Sequence, residues 1–157
     1  MSVESVREVF KKDDLEDLVL HSDVISDTVE NAASLLGCEP KQIAKTMSFV
    51  IGDETVLIVT SGDAKIDNPK YKAKFNSKAK MASFEDVERL TGHSPGGICP
   101  FGLKDNVKVY LDESLKRFDI VYTGGGDSYN TVKVNLEQLE KYSNYIEWID
   151  VCKNWQE

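Results

Sequence analysis

Residues 45–60 read K-T-M-S-F-V-I-G-D-E-T-V-L-I-V-T, and this stretch decides the fold. Two β-type runs, 45–51 and 55–60, flank Gly52-Asp53-Glu54, a combination that predicts a β-hairpin. The second run contains Val56-Leu57-Ile58-Val59, the longest uninterrupted aliphatic run of the chain. A bilayer crossing needs roughly 20 apolar residues, so this run predicts a strand, and we expect no contact with a membrane.

Other strands and helices are predicted on both sides of the hairpin. Strand-like runs cover 17–21, 107–111, 119–122, 131–134 and 145–151, with a brief extended stretch near residue 81. Helical patterns cover 2–11, 29–36, 69–75, 83–92 and 135–142, with Thr28, Ser83 and Asn135 as N-caps and Gly37 as a terminator. Strands outnumber helices and several form sequential hairpins. We therefore predict a mixed α/β fold, with a mixed sheet or closed barrel and flanking helices, rather than a doubly wound parallel sheet.

Length and composition set the class of protein. The chain has 157 residues, 41% hydrophobic and 29% charged, which predicts one globular domain over residues 1–157 and excludes a disordered chain. Residues 1–5 show no basic segment leading into an apolar one, so we expect no secretory signal. Three dispersed cysteines, Cys38, Cys99 and Cys152, are typical of a reduced, cytoplasmic protein.

The charge is negative overall but unevenly distributed. With 19 basic and 27 acidic residues the formal charge is −8, which argues against nonspecific binding of nucleic acid, DNA included. Residues 65–80 nevertheless hold six lysines (65, 70, 72, 74, 78 and 80) and one acid, Asp67. This positive island is either a solvated surface or a patch that docks the end of a polyanion.

Motifs for metal, nucleotide and covalent chemistry are missing. The sequence has no H-E-x-x-H, C-x-x-C, Walker or G-x-G-x-x-G motif, and it has two histidines, so we predict no metal and no cofactor. Cys99 with His93 as its base is one possible nucleophile pair. A free cysteine is more often a small packed hydrophobe, and the pair stays an alternative.

Two features point to a binding site. The segment 92–102 (G-H-S-P-G-G-I-C-P-F-G) is a long loop whose glycines allow close approach of a ligand to the backbone and whose prolines limit its freedom. Lys45 begins an otherwise apolar strand. It is either a simple exposed lysine or, if directed into a pocket, a cation for phosphate or carboxyl oxygens.

These two segments together resemble one family. Ile43-Ala44-Lys45-Thr46 and Gly96-Gly97-Ile98-Cys99-Pro100, the latter a G-x-x-x-P loop, are similar to the YbaK/prolyl-tRNA-synthetase-associated editing domains. Supporting similarity occurs at 28–33, 59–64, 90–92 and 122–126, and the order of the segments fits from about residue 16 to residue 151.

The resemblance implies a free-standing deacylase that hydrolyses the ester of mischarged tRNA, typically tRNA for proline carrying alanine, cysteine or a similar small residue. It implies no metal, no cofactor and no protein nucleophile, with tRNA as the partner and prolyl-tRNA synthetase as a possible second one. Lys45 would anchor the tRNA 3′ end. The remaining expected site residues are Gly96, Gly97 and Pro100 in the orienting loop, Thr46, Ile98, Cys99, Gly124 and Gly125 at the substrate, and, from the local charge, Lys65, Lys72 and Lys74 on tRNA.

One departure leaves the amino acid open. Thr46 follows the lysine, where alanine-directed members often carry asparagine, so cysteine remains a candidate substrate. The alternative function is a non-catalytic module that binds aminoacyl-tRNA ends or a synthetase, since the same pocket would serve either role.

Overall fold

The computed structural model describes residues 2–26 and 28–155. Its helices are α1 Ser2–Lys11, α2 Val29–Leu36, α3 Asn68–Phe75, α4 Val87–Thr91 and α5 Leu136–Ser143. Its strands are β1 Val19–His21, β2 Ala44–Ile51, β3 Glu54–Ser61, β4 Lys65–Ile66, β5 Val107–Asp112, β6 Ile120–Gly124, β7 Asn130–Asn135, β8 Glu147–Ile149 and β9 Cys152–Lys153.

The predicted hairpin forms one side of the main sheet, whose order is β2-β3-β5-β8. β2 and β3 are antiparallel, whereas β5 and β8 add in parallel, so the sheet is mixed. Gly52 adopts φ 60° in the tight turn, a value that favours glycine. β3 lies inside the sheet with both faces covered, which explains its continuous aliphatic run.

Two hydrophobic cores cover the two faces of the main sheet. Leu57 and Val59 face the larger core, which the three-stranded antiparallel sheet β1-β7-β6 closes together with α1 and α5. Val56 and Ile58 face the second core, where Tyr71 of α3 is fully buried. The alternation of side chains along a strand divides one run of sequence between these two cores.

The sheets adjoin without closing. An isolated parallel bridge, Ile43 to Tyr122, links the start of β2 to β6, and a two-stranded sheet pairs β4 with β9. The mixed α/β prediction is confirmed. Of its two forms the mixed sheet is the one found, because no closed barrel occurs among the described strands.

Three predicted elements differ from the structure. The strand expected over 17–21 is shortened to β1, because Glu16–Leu18 form a 3-10 turn. The strand expected over 145–151 is shortened to β8, Glu147–Ile149, and β9 begins only at Cys152. After β8 the Val151 N–H donates to the buried carboxylate of Asp112 at 3.0 Å and is not available to a neighbouring strand. The helix expected from Ser83 begins at Val87. The Ser83 hydroxyl accepts the Asp86 N–H as a cap would, but residues 84–86 form a turn.

Candidate active site

A pocket of about 120 Å³ opens where four chain segments meet. The segments are Ser26 with 28–32 at the start of α2, 43–46 at the start of β2, the 95–98 loop, and 122–124 at the end of β6, with a contribution from β7. The residues that line it are Ser26, Thr28, Val29, Ala32, Ile43, Ala44, Lys45, Thr46, Pro95, Gly96, Ile98, Tyr122, Thr123, Gly124 and Thr131. The structure therefore brings together Lys45, Thr46, Gly96, Ile98 and Gly124 of the expected site.

Lys45 is half-buried on the wall of this pocket. Its Nζ donates a hydrogen bond of 2.5 Å to the carbonyl of Ala64, in the turn that follows β3. Burial lowers the pKa of Lys45 below the ordinary lysine value, while Cys152 and Asp63 act in the opposite direction. The ammonium is thus held at a fixed place beside the hollow rather than extended into solvent.

The glycine-rich loop forms the opposite wall. Pro95–Gly97 make one 3-10 turn, in which the Gly97 N–H donates to the Ser94 carbonyl at 2.9 Å. The Gly97 carbonyl accepts the Gly126 N–H at 2.8 Å. Both backbone polar groups of Gly97 are therefore engaged, and this residue holds the loop in place.

The close approach of two chain segments explains the glycines at and beside the pocket. Gly97 supports the loop but does not itself line the hollow. A Cβ on Gly97 would lie 2.0 Å from the backbone nitrogen of Asp127, and one on Gly124 would lie 2.7 Å from the Ile98 carbonyl oxygen. Gly125 is buried and does not line the pocket; a Cβ there would meet Asn130 at 2.8 Å. Because backbone meets backbone here, no larger residue fits without separating the segments.

Thr46 presents an unusual hydroxyl. Its Oγ1 is buried, and it has no hydrogen-bond partner among the described residues. A buried hydroxyl without a partner is costly. Because Thr46 also lines the pocket, its hydroxyl is a candidate for a hydrogen bond to a bound ligand.

Cys99 and Pro100 lie away from the pocket. Cys99 is fully buried in the larger core, and burial raises the pKa of its thiol to about 12. Its Sγ is 3.6 Å from His93 Nε2, but that nitrogen is 2.6 Å from the Phe101 carbonyl, which can only accept. Nε2 therefore carries the proton and is not a base for Cys99. Pro100 lines a separate hollow beside Val9 and Tyr142.

The lysine island is partly neutralised. Lys74 Nζ is 2.7 Å from Glu147, and Lys70 Nζ is 3.0 Å from Asp150. Lys65 and Lys72 are exposed and have no ion pair with any described residue, and Lys65 directly follows the Ala64 carbonyl that holds Lys45. The pairing of Lys74 could not be read from the sequence, because Glu147 lies 73 positions further along the chain.

Most of the pocket wall carries no recognisable sequence motif. Tyr122 and Thr123 of β6, Val29 and Ala32 of α2, and Ser26 lie in the pocket although no catalytic motif marks them. Four of these residues belong to two segments, 28–33 and 122–126, whose sequences are similar to the editing domains. That similarity was the signal available for placing them at the site.

Metal ligands and membrane segments are absent from the described part of the chain. Residues 2–26 and 28–155 contain no group of three or more His, Cys, Asp or Glu side chains that could hold a metal ion. None of the helices formed by these residues has the length and apolar character to cross a bilayer.

Fold and pocket define a class of protein: a mixed α/β domain with a small pocket lined by a lysine and a glycine-rich loop. The chain belongs to the aminoacyl-tRNA editing domain family, whose model matches residues 25–142. It is therefore an aminoacyl-tRNA deacylase, and its substrate is an aminoacylated tRNA. The expected family is confirmed.

Relatives of known sequence support this assignment. The chain is 44% identical over 157 residues to the uncharacterized Bacillus subtilis protein YwhH, covering 99% of this chain and 100% of that one. It is 29% identical over 120 residues to a proposed Cys-tRNA(Pro)/Cys-tRNA(Cys) deacylase, EbsC of Enterococcus faecalis, covering 74% of this chain and 73% of that protein. A Thermosipho melanesiensis proline–tRNA ligase is 31% identical over 144 residues, 88% of this chain, but the chain spans only 25% of that ligase.

A solved structure has a similar fold. A crystal structure of a proposed trans-editing enzyme for prolyl-tRNA synthetase superposes with a TM-score of 0.85 at 25% identity, covering 97% of each chain. The architecture of the family is thus present over nearly the whole chain.

Proposed function

We propose that the protein removes a small amino acid, cysteine or alanine, from mischarged tRNA for proline, acting in trans. The observation that supports this most directly is the pocket enclosed between Lys45 and the Gly96–Ile98 segment. The name of the Enterococcus relative, which specifies Cys-tRNA(Pro), favours cysteine. Thr46 agrees with that choice, since asparagine is frequent in alanine-directed members.

Pocket size supports selection by exclusion. A volume of about 120 Å³ is far below the roughly 300 Å³ or more of pockets that enclose drug-sized ligands. The aminoacyl end enters, and the nucleotides stay outside. Attraction in an apolar pocket supplies about 1–3 kcal/mol per methylene, so the walls formed by Val29, Ala32 and Ile43 exclude proline by steric contact.

The mechanism requires positioning rather than a protein nucleophile. Lys45 binds oxygen atoms at the tRNA 3′ end, and the loop from Gly96 to Pro100 orients the acyl group through Gly96 and Ile98. An aminoacyl ester is already activated, so orientation and fixed dipoles supply the acceleration, with the neighbouring ribose hydroxyl assisting proton transfer. Water attacks the acyl carbon, the bond from that carbon to the ribose oxygen breaks, and the ribose oxygen takes up the proton. With a cysteinyl ester the substrate's own thiol can attack instead: it displaces the ribose oxygen, which takes the thiol proton, and water then opens the resulting cyclic thioester to release cysteine.

The positive island completes the proposal. Lys65, Lys72 and, to a lesser degree, the paired Lys74 face the tRNA, and prolyl-tRNA synthetase is a possible partner that delivers it. Because charged tRNA is used in translation, the proposed place of action is the cytoplasm.

A panel of esters on one tRNA tests this function. Purified protein is incubated with tRNA for proline that carries cysteine, alanine, serine or proline, and the remaining ester is measured over time. We expect rapid loss of cysteine or alanine and persistence of proline. Persistence of every ester, with tRNA bound, would instead identify a non-catalytic binding module.

A further inference from the structure

The turn after β3 determines where Lys45 places its charge. Residues 61–64, here called the 61–64 turn, end in the Ala64 carbonyl that accepts the Lys45 Nζ at 2.5 Å. Within the turn the Ala64 N–H donates to the Ser61 carbonyl at 3.1 Å, and Ala64 is fully buried. The position of the ammonium therefore depends on how rigidly this turn is held.

Arg117 holds the turn from outside the pocket. Its Nη1 and Nη2 donate to the two carboxylate oxygens of Asp63 at 3.1 and 2.6 Å, a bidentate pair. Nη2 also donates to Ser61 Oγ at 2.8 Å, and that hydroxyl donates to Asp63 at 2.7 Å. Both side chains of the turn that can accept a hydrogen bond are thus fixed by one guanidinium.

The guanidinium is itself fully engaged. Its remaining donors reach the Ser114 carbonyl at 3.1 Å and the Trp155 carbonyl at 3.0 Å, so all five N–H groups have partners. The rings of Phe118 and Trp155 lie 4.9 and 5.2 Å from its central carbon. Ordinary surface ion pairs are mobile and weak, whereas this one is fixed on every side.

We propose that the Arg117–Asp63 pair is a positioning device for catalysis, which sets the Lys45 ammonium through the Ala64 carbonyl. Neither member lines the pocket, so they act through Lys45 rather than on the substrate. The inference rests on the proposed function, because it assigns a task to a pair whose target is the tRNA-anchoring lysine. Charged or titratable groups around Lys45 are Asp63, Glu30, Lys65 and Cys152.

A double-mutant cycle tests the inference. Arg117→Ala, Asp63→Asn, Lys45→Ala and the combination Lys45→Ala/Arg117→Ala are compared for deacylation of the preferred mischarged tRNA. We expect Arg117→Ala and Asp63→Asn each to lower kcat/KM about tenfold, and Arg117→Ala to add almost nothing once Lys45 is alanine. Arg117→Lys should recover little, because an ammonium cannot make the bidentate pair.

Controls separate positioning from stability. Lys108→Ala removes a surface ion pair of 2.8 Å with Glu54, distant from the pocket, and should leave kcat/KM unchanged. Thermal unfolding shows which variants are folded. If Arg117→Ala does not fold, the same double-mutant cycle is carried out with Asp63→Asn and Lys45→Ala, and its result tests the inference. Equal losses with and without Lys45, or full activity in both Arg117→Ala and Asp63→Asn, would overturn the inference. Wild-type protein inactive on every ester would instead contradict the proposed function.

Discussion

Lys45 is the residue whose replacement tests the site most directly. Lys45→Ala removes the cation that we expect to grip the tRNA 3′ end, and kcat/KM should fall at least tenfold, about 1.4 kcal/mol of transition-state binding. Lys41→Ala is the matched control, because Lys41 pairs with Glu39 at 3.2 Å and does not line the pocket. Comparable rates for the two variants in a deacylation assay would refute the role of Lys45.

The lowered pKa of Lys45 predicts that binding of aminoacyl-tRNA weakens at alkaline pH. Burial lowers the pKa of Lys45, so its charge is present at low pH and is lost as pH rises through a value below the 10.5 of a free lysine. Affinity for a non-hydrolysable, amide-linked aminoacyl-tRNA should therefore decline at lower pH than an exposed lysine would allow. Lys45→Arg, which stays charged, should show no such decline. A flat profile in the wild-type protein would contradict the prediction.

Replacement of Cys99 should affect stability and not activity, in contrast to replacement of Lys45. Its thiol is in the core with a pKa raised to about 12, and the neighbouring His93 nitrogen donates to a carbonyl. Cys99→Ala should therefore keep turnover within about twofold while it lowers the free energy of unfolding by about 1 kcal/mol, through loss of packing. Denaturant unfolding and single-turnover deacylation measure both. A folded but inactive variant would restore the cysteine-hydrolase alternative.

At the scale of elements, the pocket is shaped by the contact between the glycine-rich loop and residues 124–127 at the end of β6. In Gly97→Ala the new Cβ would meet the Asp127 nitrogen at 2.0 Å, so the two segments must separate. We expect a loss of about 1–3 kcal/mol in stability, as overpacking causes, and about tenfold in kcat/KM.

Gly52→Ala is the control for this substitution. Gly52 has φ 60° but open space around its Cβ position, so alanine there costs backbone strain in a distant turn without moving the pocket. Its stability should fall by about 1 kcal/mol with kcat/KM unchanged. If Gly97→Ala retained wild-type kcat/KM, the loop would have no part in orienting the substrate.

Elements with a strong local signal were predictable from sequence. The hairpin of β2 and β3 follows from two β-type runs around a glycine turn, and α2 begins at the Thr28 cap and ends at Gly37, as expected. The end of β8 at Ile149, before the predicted end at residue 151, was not predictable. It depends on Asp112, a residue 39 positions away from the Val151 N–H that it accepts.

For the whole molecule, the charge pattern predicts how tRNA docks. Lys72→Ala and Lys65→Ala should each raise KM for mischarged tRNA and reduce the slope of log KM against log salt by about 1, because each removes an unpaired cation. Lys74→Ala should have a smaller effect, since Glu147 already neutralises that charge at 2.7 Å. Identical salt dependence in all three variants and the wild type would exclude the island as a tRNA contact.

The sequence by itself determined the mixed α/β class and the hairpin, and it indicated Lys45 and the glycine-rich loop as the candidate site. These signals depend on local propensity and short motifs, which neighbouring residues of the chain encode. Tertiary structure alone decided which residues face the pocket. It buried Cys99, paired Lys74 with Glu147, and fixed the 61–64 turn with Arg117, since each of these contacts joins residues far apart along the chain. Whether a side chain faces a hollow, a core or an opposite charge is settled by packing, which local sequence does not encode.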